Sequence, residues 1–230
     1  AKDNLSVQVH PENEYALRVE GEYGKTEMWY VVDCDEGAEL LYGFKNNVSK
    51  EEFVSRIKDN TLLEITKSVP VKKGDVFFIE AGTLHAIGKG ILIAEIQQNS
   101  NTTYRIYDYG RVGADGKPRQ LHIDKAVDVT KLCPAKPYPI SEPVVKNGYT
   151  EKLLSKCEYF TASALEIDGN AELYADSTSF GCILLLSGSG TIIYNNEKIE
   201  VKKGETIFIP AGMGSYTLSG TCTAIYTKID

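Results

Sequence analysis

Short apolar runs with a period of two dominate the chain. From Leu5 to His10 the residues alternate, which places Val7 and Val9 on one face of a strand and Gln8 and His10 on the other. The same rule aligns Lys25 with Glu27 immediately before the apolar run that starts at Met28. In the second half the pattern predicts strands over 159–167, 182–186, 191–194, 198–201, 206–209 and 221–228, with Ser187-Gly188-Ser189-Gly190 and Asn195-Asn196 as hairpin turns. Strands this short and evenly spaced predict a small antiparallel barrel or jelly roll. A helical period occurs at two places in the first half. Ser49 and Glu52 form a capping box ahead of Phe53 and Ile57, predicting a helix as far as Asn60. Pro11 is suited to open a second helix with Tyr15, Ala16 and Val19 on its apolar side. Both helices are expected outside the barrel.

The chain also repeats itself. Residues 72–85 read KKGDVFFIEAGTLH and residues 202–215 read KKGETIFIPAGMGS, a constant offset of 130. A turn, a short apolar strand and a second turn have been used twice, which predicts duplicated β domains. Between the copies, 131–145 (KLCPAKPYPISEPVV) holds four of the eight prolines. Closely spaced prolines neither donate to a ladder nor continue a helix, so this stretch reads as an extended linker between domains at 1–130 and 146–230. A proline-rich edge loop within one domain is the alternative. The expected class is mainly β, two consecutive β-barrels with short helices inserted in the first.

Composition narrows the partners. A formal net charge of -7 without a long basic run excludes a phosphate-backbone stripe, so nucleic acid is not an expected partner. No apolar run approaches the ~18 residues of a membrane span, so no membrane partner is expected either. Five cysteines without C-x-x-C spacing fit reduced thiols and a cytoplasmic protein better than a disulfide framework. The chain opens directly into a strand, as a fragment of a longer protein would.

Candidate chemistry lies in three separated strands. If they line one barrel, Gln8, His10, Glu27 and His85 converge on a point. Two neutral imidazoles, a carboxylate and an amide oxygen suit a borderline divalent ion, with zinc the leading candidate and a further position left for water or substrate. The second copy has Ser215 where the first has His85, so it lacks that site. The plain alternative is two ordinary histidines, one on a strand and one in a turn. His122 falls outside the pattern and reads as a surface or capping residue.

Taken together, Gln8-Val9-His10-Pro11, Gly24-Lys25-Thr26-Glu27, Gly82-Thr83-Leu84-His85-Ala86, and Glu95-Ile96-Gln97-Gln98-Asn99-Ser100 leading to Thr103-Tyr104-Arg105 resemble the type I mannose-6-phosphate isomerases. The match is to the shorter bacterial branch of that zinc-dependent cupin family and covers essentially the whole chain. The resemblance implies two cupin-type barrels, the first holding one Zn2+ per chain through Gln8, His10, Glu27 and His85. It also implies Arg105 at the catalytic centre, Lys25 in the substrate pocket, and a sugar phosphate of carbohydrate metabolism as the partner. Two departures stand out. Family members carry a further N-terminal segment, which supplies strands and part of the pocket wall and which this chain lacks, and residue 101 is Asn where an acidic residue is expected.

The implied reaction interconverts mannose 6-phosphate and fructose 6-phosphate by moving a proton between adjacent carbons through an enediol. It needs a cation against the developing negative charge, for which Arg105 is the candidate, and a proton carrier, for which Glu95 is the candidate. Glu95 lies on the apolar run 91–96 with Leu92, Ala94 and Ile96 on the opposite face; a structural partner for Arg105 or Lys25 is its other reading. Rival functions are a non-catalytic sugar-phosphate-binding module, a truncated inactive fragment, a metal-dependent oxygenase on the same barrel, and an interaction domain with a structural metal.

Overall fold

The structure, a computed structural model, describes residues 1–113, 115–139 and 141–229. The chain divides into two compact units, Ala1–Tyr138 and Pro139–Asp230. In unit 1 the elements run β1 (Val7–Val9), α1 (Asn13–Val19), β2 (Glu27–Cys34), β3 (Glu39–Phe44), α2 (Lys50–Lys58), α3 (Leu62–Ile65), β4 (Thr66–Pro70), β5 (Val76–Ile79), β6 (His85–Ala86), β7 (Ile91–Gln97), β8 (Tyr104–Tyr107) and α4 (Ile123–Val129). They form a five-stranded sheet in the order β4-β3-β6-β1-β8 and a three-stranded sheet in the order β5-β2-β7.

The alternation in β1 decides what each face of the larger sheet meets. Val7 and Val9, with Tyr104 and Ile106, pack against Phe53, Leu62 and Ala126 from the helices. The helices therefore cover one face, and Gln8 is left pointing away from them. A second core, built from Trp29, Val31, Leu40, Ile79 and Ile91, joins strands of both sheets. Bulges between Val31 and Asp33 and between Leu41 and Phe44 bend β2 and β3, as closing a small barrel requires.

Helix α2 begins as its capping box predicts, with Ser49 Oγ accepting the Glu52 N–H at 3.1 Å. It ends at Lys58 because Asn60 turns left-handed at φ +60°. Helix α1 starts at Asn13, two residues after Pro11. Helices α3 and α4 carry no side-chain capping bond, which removes the local signal that would have marked their starts. Residues 131–138 run along unit 1: Leu132 O accepts from Val48 N–H, and Pro134 bridges Gly43. A Cβ at Gly43 would lie 2.6 Å from Ala135 N, so this approach requires glycine.

Unit 2 contains β9 (Val144–Lys146), β10 (Tyr149–Lys156), β11 (Thr161–Ala175), β12 (Gly181–Tyr194), β13 (Glu197–Lys202), β14 (Thr206–Ile209) and β15 (Gly214–Lys228). Its sheet runs β13-β12-β15-β11-β10-β9, with β14 also paired to β12. Mainly β structure is present as expected, but the strands are longer than the alternation predicts. The expected strands 182–186 and 191–194 are parts of β12, and Ser187–Gly190 is no hairpin. A bulge between Leu185 and Ser187 absorbs the irregularity, and at Gly188 (φ +72°) a Cβ would lie 2.1 Å from Thr221 O. Those glycines serve close strand approach instead of chain reversal. The turn at Asn195-Asn196 is real, both residues being left-handed at φ 48° and 67°. The unit's buried core is apolar, with Leu165, Ile167, Ile183, Leu185, Ile192 and Leu218 among its members.

All five cysteines are free, and among the described residues no helix is long and apolar enough to cross a membrane. Phe53 is fully buried and meets Phe44 edge-on at 5.6 Å, so it fastens α2 to the sheet. Phe53→Ala is expected to destabilise the protein by about 3–5 kcal/mol. Ile199→Ala, at a residue 58% exposed, should cost under about 0.5 kcal/mol. Urea titration followed by circular dichroism checks both; equal midpoints for the two variants would refute the assignment.

Candidate metal centre

Two rows of register partners build the site. Across the larger sheet Tyr42, His85, Gln8 and Arg105 are successive cross-strand partners and so share one face. Across the smaller sheet Glu27 lies between Ile79 and Gln97, and Trp29 between Phe77 and Glu95. Tilted rings 4.9 Å apart join His10 to His85, and the Trp29 ring meets His85 edge-on at 5.2 Å. His10, Glu27 and His85, all buried, are the one His/Cys/Asp/Glu group among the described residues able to hold an ion, with ligand atoms within 4.8 Å of one another. Gln8 joins them through its amide, 3.3 Å from His85 Nε2. That amide can donate its N–H to the imidazole or, turned over, offer its oxygen to a cation.

The backbone determines which imidazole nitrogens face the centre. His10 Nδ1 donates to Thr102 O at 2.9 Å and His85 Nδ1 donates to Thr83 O at 2.8 Å. In the neutral rings both Nε2 atoms then carry lone pairs. They point at a carboxylate: His10 Nε2 lies 3.1 Å from Glu27 Oε1, and His85 Nε2 lies 4.0 Å from Oε2. His10 Nε2 is buried and makes no hydrogen bond. Converging lone pairs without protons between them repel, and in a dry site that costs free energy unless a cation accepts them. Backbone carbonyls on the far nitrogens are also the usual outer support of metal-binding imidazoles. The donor set therefore fits a bound metal ion.

Glu27 is tuned to stay ionised. Burial opposes its charge, but the close approach of His10, the positive charge that His85 and His10 carry when protonated, and the charge of Lys25 outweigh burial and hold the carboxyl far below its ordinary value. Trp29 Nε1 donates to its Oε2 at 3.0 Å, and Lys25 Nζ sits 3.1 Å from its Oε1. Lys25 Nζ is also 4.0 Å from Glu95 Oε1. Glu95 is pushed the other way, to about 7, first by burial and then by the Glu27 charge, with Lys25 opposing. Its side chain remains 32% exposed, so its proton exchanges with water.

Arg105 stands one strand beyond Gln8. Its Nη1 donates to Gln120 O at 3.0 Å, whereas its Nε is buried and makes no hydrogen bond. His122 occupies the N-cap position of α4 without capping it, because its Nδ1 accepts the Arg105 backbone N–H at 3.2 Å. Beside them the buried Asp108 binds Arg111 and Arg119, each through two nitrogens. The Arg119 and Arg111 guanidiniums keep its carboxyl below the ordinary range against burial. Sequence patterning missed Asp108, Trp29 and the Thr83 and Thr102 carbonyls. Only the Y-D-Y-G-R run and the alternation in β2 hinted at the first two.

Residues 150–229 match the family model described as mannose-6-phosphate isomerase, cupin domain. The mannose-6-phosphate isomerase ManA of Bacillus subtilis is 40% identical over 232 residues, covering 100% of this chain and 72% of the relative. A mannose-6-phosphate isomerase of Streptococcus mutans is 40% identical over 221 residues, covering 96% of this chain and 69% of the relative. A crystal structure of the Bacillus subtilis mannose 6-phosphate isomerase superposes with a TM-score of 0.93 at 38% identity, over 99% of this chain and 72% of that one.

Burial, then the charge of His10, lowers the His85 imidazole from its ordinary 6.5 to about 4. Between those values the unfolded chain takes up a proton that the fold refuses. The metal-free protein is therefore expected to lose stability as pH falls through that window, by on the order of 3 kcal/mol in full. The depressed Glu27 carboxyl adds a loss in the same direction at lower pH. Melting temperatures in chelator from about pH 7 to about pH 4.5 measure this, and a flat profile would contradict it.

Proposed function

Because the chain belongs to the mannose-6-phosphate isomerase family, we propose that its first unit interconverts mannose 6-phosphate and fructose 6-phosphate through an enediol, with one zinc ion held by Gln8, His10, Glu27 and His85. The observation that carries the reading is the convergence of two imidazole lone pairs on a buried carboxylate, with both far nitrogens committed to carbonyls. Nitrogen, carboxylate and amide-oxygen donors favour zinc over the hard ions magnesium and calcium. When bound, zinc would polarise the substrate oxygens and offset their negative charge.

The chain's own residues supply the rest. Glu95 is the proton carrier: as the carboxylate it takes the proton from C2 of the aldose, and as the acid it returns that proton to C1, while the hydroxyl proton of O2 is given up and O1 gains one. A carboxyl with a pKa near 7 exists in both forms at neutral pH, which suits this exchange. Arg105 faces the same side of the sheet as Gln8 and opposes the charge developing on the substrate oxygens. Lys25, anchored between Glu27 and Glu95, offers an ammonium to a substrate hydroxyl or phosphate oxygen. The same proposal divides labour along the chain. Residues 1–130 hold the metal, 131–145 link, and 146–230 form a metal-free second barrel in which Ser215 pairs with Tyr174 in a long strand.

Zinc should raise the melting temperature of this chain, and Glu27→Gln should abolish that rise; metal analysis of both proteins checks it, and zinc retained by the variant would remove Glu27 as a ligand. Conversion of mannose 6-phosphate to fructose 6-phosphate tests the activity, whereas binding of fructose 6-phosphate without conversion would favour a non-catalytic module.

With zinc retained, Glu95→Gln is expected to lower kcat by about 10²–10⁴-fold. Lys25→Ala should instead raise KM. Near-normal turnover in the first variant, or an unchanged KM in the second, would strike out the corresponding role.

A further inference from the structure

The segments that carry the metal ligands are tied together by side chains to which the reaction above assigns no task. Asn13 Oδ1 accepts the Gly24 N–H at 2.9 Å and a Gln98 Nε2–H at 3.2 Å. Gln98 Oε1 accepts the Thr26 N–H at 2.9 Å, while the Gln98 backbone N–H donates to Thr26 O at 3.0 Å. Thr26, which lies between Lys25 and Glu27, is thus gripped from both sides by one residue. Each amide has its oxygen committed to a backbone N–H, so neither can turn over without setting donor against donor.

The chain geometry around this pair is tight. Asn13 follows His10 by three residues across Pro11, whose carbonyl accepts the Lys25 N–H at 3.1 Å. A Cβ at Gly24 would lie 2.4 Å from Pro11 O and 2.6 Å from Asn13 N, so the two segments are in backbone contact. On the other side of Gln98, Ser100 Oγ donates to Tyr23 O at 2.7 Å and accepts the Thr102 N–H at 3.1 Å. Thr102 is the residue whose carbonyl orients His10. One network therefore spans the His10 segment, the Lys25–Glu27 segment and the carbonyl that selects the His10 tautomer.

We propose that Asn13 and Gln98 are positioning residues: their amide pair sets the spacing between the His10 segment and the Lys25–Glu27 segment, and with it the coordination geometry of the metal and the place of Lys25. The proposal rests on the metal-dependent reading above. Backbone contact at Gly24 already holds the loop on the fold. The amide pair adds alignment at Thr26, one residue from the ligand Glu27, where errors of a few tenths of an ångström matter.

The test measures zinc affinity by competition with a chromogenic chelator on the whole chain. Folding of each variant is checked by melting in chelator without zinc. Asn13→Leu and Gln98→Met should each weaken zinc binding about 10–100-fold. Asn13→Asp keeps an oxygen for both donors and should stay within about threefold of the parent, a rescue that a merely structural asparagine would not show. Gln98→Glu keeps the acceptor for Thr26 and loses the donor to Asn13. It should fall between these limits, and it keeps the test open if the larger changes prevent folding. Parental zinc affinity in folded Asn13→Leu and Gln98→Met overturns the proposal, as does an Asn13→Asp as weak as Asn13→Leu. A parent chain that binds no zinc overturns the metal reading itself and this proposal with it, and that result appears before any variant is compared.

Discussion

Two hydrogen bonds from imidazole to backbone carbonyl govern the buried His10–Glu27–His85 cluster of the first unit. Because Thr102 O and Thr83 O take the Nδ1 protons, His10 and His85 are left with Nε2 lone pairs aimed at each other and at Glu27. Without those carbonyls either neutral ring could turn its one N–H to the carboxylate and make an ordinary hydrogen bond. With them, a positive ion is what completes the electrostatics. The opposite shifts of Glu27 and Glu95 follow from the same arrangement. Glu27 sits among the imidazoles and Lys25, whereas Glu95 is raised first by burial and then by the charge of Glu27.

The sheets supply this geometry cheaply because cross-strand partners share a face. Strand β6 is two residues long, yet it is enough to set His85 beside both Gln8 and Tyr42. The second unit shows the repeated motif in a different setting. Ser215 lies within the fifteen-residue strand β15, register-paired with Tyr174, and the interior is filled by Leu, Ile and Ala side chains. Where the first unit has a two-residue strand at His85, the second has a continuous ladder.

Much of this was legible in the residues. Alternation in β1 separated Val7 and Val9 from Gln8, and the helix-covered core confirms which side is apolar. The capping box at Ser49 marked α2 to within two residues of its end. Other features were not, for identifiable physical reasons. Ser187–Gly190 reads as a turn by composition, but tertiary crowding at Thr221 O uses Gly188 in an extended strand. Helices α3 and α4 form through packing without capping bonds, so no local signal precedes them. Carbonyl acceptors such as Thr102 O leave no side-chain signature at all. Asp108 became meaningful only once the fold brought Arg119 back to it from eleven residues away.

Trp29 adds a property that is independent of catalysis. It is the sole tryptophan, its indole N–H rests on Glu27, and its ring lies against His85. An indole's emission responds to the charges around it, and here those charges belong to the carboxylate and imidazole that would contact an ion. The protein thus carries a built-in optical gauge of what sits at its centre, readable by ultraviolet light without any attached label.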